Sequence, residues 1–236
     1  MPMGPELQAQ KNNPLTHEKD AAAGNPGGRR PVKTALALYC CLFFPAWYLI
    51  RIFVFPAPPA QPDYLQLPVW LLPALLLLYH FREDVAVRPG ELWKVRAGAL
   101  PVFAWAVPLF AAAVVLALYN GNMHLAVRFR PAELMETVVI AAVTEEIVFR
   151  GFILNALLKT TGKRRAVLIT TLVFTAVHIP IWLIRGVFGW LPGAVLTPLL
   201  VFSTGVVYSL AFIKSKNVWA PIALHMVWNL AACIFR

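Results

Sequence analysis

Residues 141–154 read AAVTEEIVFRGFIL. Two adjacent glutamates, Glu145 and Glu146, and an arginine, Arg150, stand in a stretch otherwise suited to a hydrocarbon interior. Each such group costs about 2.5 to 3.5 kcal/mol at the centre of a bilayer. Three of them together require a structural or chemical reason.

Around this stretch the chain reads as a polytopic membrane protein. Of its 236 residues 59% are hydrophobic and 14% are charged, and the mean hydropathy is +0.66, values far from those of a soluble domain. At about 17 to 25 apolar residues per spanning helix, seven spans are expected, over residues 34–55, 65–81, 97–119, 134–158, 166–184, 193–213 and 218–235. The fold class is therefore an all-α transmembrane helix bundle. Pro68 and Pro73 interrupt the second span, and Pro56, Pro58, Pro59 and Pro62 mark the turn before it. Prolines are tolerated where neighbouring helices satisfy the freed backbone groups. Residues 1–33 mix Lys11, Lys19, Asp20, Arg29 and Arg30 with Gly, Pro, Asn and Gln, and cannot bury enough apolar surface to order themselves. They are expected to form a disordered basic cytoplasmic tail, not a cleavable signal peptide. Residues 34–236 form the membrane domain.

Lys and Arg alternate in density from loop to loop. With the amino terminus inside, the inner segments hold fifteen: Lys11, Lys19, Arg29, Arg30 and Lys33, then Arg82, Arg88, Lys94 and Arg96, then Lys159, Lys163, Arg164 and Arg165, then Lys214 and Lys216. The outer side holds five: Arg51, Arg128, Arg130, Arg185 and Arg236. This bias predicts an inner amino terminus and an outer carboxyl terminus. It also explains the net charge of +10 without a nucleic-acid partner, since Lys and Arg do not gather on one face with aromatic readers. The partners expected instead are membrane lipids and a membrane-associated substrate. Cys40, Cys41 and Cys233 all fall in apolar spans, where small buried side chains are the ordinary reading.

The polar residues within spans sort by helical spacing. Glu146 and Arg150 are four apart, so they share a face and can pair. Glu145 points about 100° away from Glu146. Phe174 and His178 are one turn apart on the fifth span, as are His225 and Asn229 on the seventh. His80 and His124, at a span end and in a loop, carry no such signal. Single groups of this kind can serve only to tie helices together by bonds of roughly 1 kcal/mol. Two carboxylates, two histidines and an amide converging on one interior match the needs of hydrolysis: a base, a group to orient water, and oxyanion donors.

The set Glu145-Glu146-x-x-x-Arg150, Phe174-x-x-x-His178 and His225-x-x-x-Asn229 resembles the three-motif signature of the CPBP intramembrane proteases, which include CAAX prenyl endopeptidases of Ras-converting type and bacterial Abi proteins. Phe149 and Gly151 after the glutamates, and Trp219, Pro221 and Ile222 before His225, agree with it. The resemblance covers residues 134–235. It implies an endopeptidase of the cell membrane, of bacterial inner-membrane type, cutting near the carboxyl terminus of a prenylated or hydrophobic-tailed protein. It further implies Glu145 as general base, His178 as a water-orienting residue, His225 and Asn229 as oxyanion donors, and Glu146, Arg150 and Phe174 as support. No cofactor is expected; the alternative is a zinc ion on Glu145, His178 and His225, three ligands with an open position, though no H-E-x-x-H pair is present. Ser203, Thr204 and Ser209 lack the G-x-S-x-G context of a serine nucleophile. A non-catalytic scaffold or immunity protein and a proton-coupled transporter are the other classes compatible with ionisable residues in a bundle.

Overall fold

In the computed structural model the described residues are 29–53, 66–95, 99–119 and 131–234. The expectations for residues 1–28, for the proline turn at 56–62 and for Arg96, His124, Arg128, Arg130 and Arg236 lie outside them.

All regular structure among the described residues is helical. Helix α1 spans Arg29–Phe53 and begins upstream of the expected start at residue 34. Pro31 lies in its first turn, where a proline ring is pre-set for helical φ, and Val32 and Leu36 are already buried. Helix α2 (Leu67–His80) opens with a π-helical stretch at Leu67–Leu71 that contains Pro68. Short helices α3 (Pro89–Leu92) and α4 (Leu100–Phe103) lead into α5 (Ala106–Tyr119).

The quoted stretch lies in α6, a continuous helix over residues 131–161 with π-helical turns at Leu134–Ile140 and Ile147–Leu154. Such turns are frequent at functional sites. At the end of the second one Asn155 Nδ2 donates to Gly151 O at 3.1 Å, a side-chain bond entering the backbone ladder. Gly162, at φ 82°, turns the chain into α7 (Lys163–Ala176), which continues through α8 (Ile179–Ile184). Helices α9 (Leu191–Ser215) and α10 (Trp219–Ile234) complete the bundle.

These helices occupy all seven expected positions, but three are long and apolar enough to cross a membrane by that measure: Pro31–Ile50, Lys163–Ile184 and Leu191–Ser215. Leu67–His80, Leu100–Val115 and Trp219–Ile234 are apolar but shorter, and α6 is divided by its π-helical turns. Helix α6 is the centre of the packing. The stretch around Ile147–Leu154 meets α2 and α7, while the turns on either side of residue 140 meet α10, which also lies against α5 and α9. Helices α7 and α9 pack along one another.

One end of the bundle is closed by bonds from the chain segments between helices. Asn155 is fully buried and bonds both backbone polar groups of one residue, accepting from Val87 N at 2.7 Å and donating to Val87 O at 2.8 Å. Trp219 Nε1 donates to Trp93 O at 2.9 Å, and Val218 N donates to Leu92 O at 3.0 Å. Asn217 Oδ1 accepts from Ala220 N at 3.0 Å, capping α10 where an asparagine is favoured.

Candidate active site

Glu146 and Arg150 form the pair that their spacing predicts, with Arg150 Nη1 donating to Glu146 Oε1 at 2.8 Å. Both side chains are fully buried. The guanidinium has a second anchor: Nη2 donates to Gly205 O on α9 at 3.0 Å. A Cβ added at Gly205 would lie 3.0 Å from Thr171 Cγ2 and 3.2 Å from Phe174 Cδ1, so the absence of a side chain is what lets α9 present that carbonyl. The cation also lies 4.4 Å from the Phe174 ring centroid and 5.3 Å from that of Tyr208, within the range of a cation–π contact. Phe174 thus shields the ion pair and positions it.

Glu146 has a further partner that helical spacing did not disclose. Its Oε1 sits 2.8 Å from His225 Nδ1, which donates because a carboxylate only accepts. The buried carboxylate therefore joins α6 to α10 and fixes the plane of the imidazole. Tyr208 stacks on the same ring, centroid to centroid 5.0 Å and 19° from parallel, and Phe174 meets it edge-on at 6.1 Å. With Nδ1 engaged, His225 turns Nε2 toward Glu145, whose Oε2 is 4.0 Å away. That separation is too long for a direct hydrogen bond and of a size that a water can bridge. Glu145 is nearly buried, with 12% of its side chain exposed, and no protein donor among the described residues reaches its Oε2.

His178 closes α7 with its Nδ1 2.7 Å from Phe174 O. The carbonyl can only accept, so Nδ1 carries the proton and Nε2 keeps its lone pair. Phe174 packs edge-on to the ring at 5.0 Å, and Trp182 stacks on it at 5.7 Å. Asn229 donates from Nδ2 to Thr137 O at 2.9 Å, tying α10 to the first π-helical turn of α6. Its second N–H and its carbonyl oxygen are further polar groups of the same amide. The site thus brings Glu145, Glu146, Arg150, Phe174 and His225 into one connected cluster, with His178 joined to it through Phe174 and Asn229 one turn along α10 from His225.

The zinc alternative does not fit this arrangement. Among the described residues no three His, Cys, Asp or Glu side chains converge closely enough to hold a metal ion.

Three participants escaped the sequence reading: Gly205, Tyr208 and Thr137. Thr137 and Gly205 contribute backbone carbonyls, and no spacing rule ties a carbonyl to a partner on another helix. Tyr208 could have been noticed as a polar-tipped ring four residues before Phe212 on α9, but nothing tied it to His225.

A search of curated proteins and a search of solved structures each returned no match. Residues 127–231 match the family model for type II CAAX prenyl endopeptidase, Rce1-like, a segment that contains every residue of the cluster. Over that segment the chain is similar to the CAAX protease (CPBP) family.

Proposed function

We propose that this protein is an intramembrane endopeptidase that cuts a peptide bond near the carboxyl terminus of a membrane-associated protein carrying a prenyl group or a hydrophobic tail. The observation that carries the reading is the division of labour between adjacent glutamates. Glu146 Oε1 is held by both Arg150 and His225, while Glu145 Oε2 faces His225 Nε2 at 4.0 Å without a protein donor.

In this mechanism Glu145 takes a proton from water held between itself and the histidines, and the oxygen attacks the scissile carbonyl carbon. His178 orients the water through its Nε2 lone pair. Negative charge develops on the carbonyl oxygen, where His225 in its doubly protonated form donates from Nε2 while Glu146 balances the ring. Asn229 donates its second N–H to the same oxygen. When the C–N bond breaks, Glu145 returns its proton to the leaving amine nitrogen, so the site ends as it began. A substrate with an apolar anchor would reach such a site from the lipid.

Seven spans with the amino terminus inside accompany this reading. A topology reporter fused after Arg236 is expected to be active outside and one inserted at residues 159–165 inside; the reverse pattern overturns the orientation. The central test is cleavage of a prenylated carboxyl-terminal peptide by the full chain in proteoliposomes. Glu145→Gln keeps the volume and polarity of the side chain, and is expected to fold normally and lose about 10³-fold or more in rate. Wild-type cleavage by this variant would leave the scaffold reading in its place. Cleavage that disappeared on chelation and returned with zinc would replace the glutamate route.

A further inference from the structure

Helices α7 and α9 approach closely at Gly205, Thr171 and Phe174, on the side facing Arg150. Away from that contact their outer faces part into a groove of about 360 Å³, within the size range of small-molecule sites. On α7 it is lined by Lys163, Arg164, Val167 and Leu168, a spacing that puts all four on one face of the helix. On α9 the lining is Phe202, Val206 and Leu210, again one face at intervals of four. None of these residues belongs to the catalytic cluster. Leu168 is 50% exposed, so the groove faces outward, where a membrane helix meets lipid.

The chemistry of the groove is divided along its length. Lys163 opens a 22-residue apolar helix, Lys163–Ile184, which places Lys163 and Arg164 at headgroup depth. Both are exposed, and two cations at one end of an apolar channel call for an anion joined to a hydrocarbon chain. Arg offers a planar fork to phosphate oxygens and Lys a mobile point charge. From Leu210 back to Phe202 the apolar wall runs about 12 Å at 1.5 Å per residue, along the direction an acyl chain takes from the headgroup inward. Basic pockets between membrane helices are recognised seats for acidic headgroups.

We infer that this groove binds one acidic phospholipid, with its headgroup phosphate on Lys163 and Arg164 and an acyl chain against Val206, Leu210 and Phe202. The inference is independent of the proteolytic reading, since no residue is shared. Each cation near the surface is worth about five-fold in affinity, and the pair about 20- to 30-fold.

The test is native mass spectrometry of the detergent-purified full chain, titrated with phosphatidylglycerol and phosphatidylcholine of identical acyl chains, with thermal unfolding followed in parallel. Wild type is expected to retain phosphatidylglycerol about 20-fold more tightly and to gain thermal stability from it. Combined Lys163→Gln and Arg164→Gln should bring the two lipids to near parity. Arg165→Gln removes a neighbouring exposed cation that does not line the groove, and should keep the preference. Val206→Trp fills the apolar part and should weaken the bound phosphatidylglycerol while leaving the lipid-free unfolding midpoint unchanged. Equal retention of the two lipids by wild type overturns the proposal. So does an Arg165→Gln effect as large as the double variant's, which would mean diffuse surface charge. Inorganic phosphate that stabilises as well as phosphatidylglycerol would make the site a simple anion site, and displacement of the lipid by a prenylated peptide would make it a substrate seat; either result removes the lipid assignment.

Discussion

The two sides of α6 are held by different forces. Toward α1 and α2, Phe149 stacks on Phe44 at 5.4 Å and Phe152 meets Tyr39 edge-on at 5.8 Å. Phe44 and Trp47 both pack on Trp70. Tyr39 Oη donates to Trp70 O at 2.8 Å within that cluster. Toward α7, α9 and α10, the same helix presents Glu146 and Arg150, with bonds to Gly205 O and His225. The aromatic side is a sum of contacts of about 0.5 to 1.5 kcal/mol each, so loss of one is graded. The polar side consists of a few bonds among buried charges, and removing any partner strands another in a low-dielectric interior. In this protein the candidate site lies on the side where geometry is all-or-none, and cohesion rests on the tolerant side.

The sharpest way to break this contrast is Arg150→Leu. The change leaves Glu146 buried with His225 as its remaining partner and vacates the Gly205 carbonyl, and truncating one member of a buried pair costs about 3 to 5 kcal/mol. The protein is expected to accumulate poorly, with partial recovery on adding Glu146→Gln. Normal accumulation and wild-type thermal stability for the single variant would show that the polar side tolerates loss as the aromatic side does.

Asn229→Ala refines the comparison, because this residue has both a cohesive bond and a proposed catalytic one. Loss of an oxyanion donor lowers the rate by about 10²- to 10³-fold, whereas loss of the bond to Thr137 O costs about 1 kcal/mol of stability. Measured cleavage and unfolding should therefore diverge. If activity fell only in proportion to the folded fraction, Asn229 would be a helix tie and not a catalytic group.

The smallest effect is expected on the aromatic side. Tyr39→Phe deletes one hydroxyl and keeps the ring contacts with Phe43, Phe44 and Phe152. The loss should be about 0.6 kcal/mol, the average for a hydrogen bond between membrane helices, with cleavage unchanged. A larger destabilisation, or any loss of activity in folded protein, would mean that the two sides of α6 are coupled through Phe149, whose ring lies 5.0 Å from that of Phe174.

Much of the site was legible because its motifs are local. Glu146 and Arg150 are four residues apart, and a helix turns that spacing into a contact in any surroundings. The same rule set Glu145 apart from its neighbour, and put Phe174 beside His178. Helix positions were legible because long apolar runs have few other uses. Span lengths were not: the π-helical turns of α6 and the unwinding between Phe103 and Ala106 come from packing and side-chain bonds, such as Asn155 on Gly151 O, that hydropathy does not encode.

By itself, then, the amino-acid sequence determined the helical membrane class, the order of the three motifs and the pairing within one helix, because each rests on neighbours no more than a turn apart. Tertiary structure alone decided that Glu146 is shared with His225, 79 residues away, that Arg150 is anchored on the carbonyl of Gly205, and that Tyr208 supports the imidazole. Those contacts depend on the rotation and depth of α9 and α10 against α6. A periodic pattern states which face a helix buries, while the level at which two buried faces meet is set by side-chain shape, here by a glycine small enough to let a guanidinium reach the backbone.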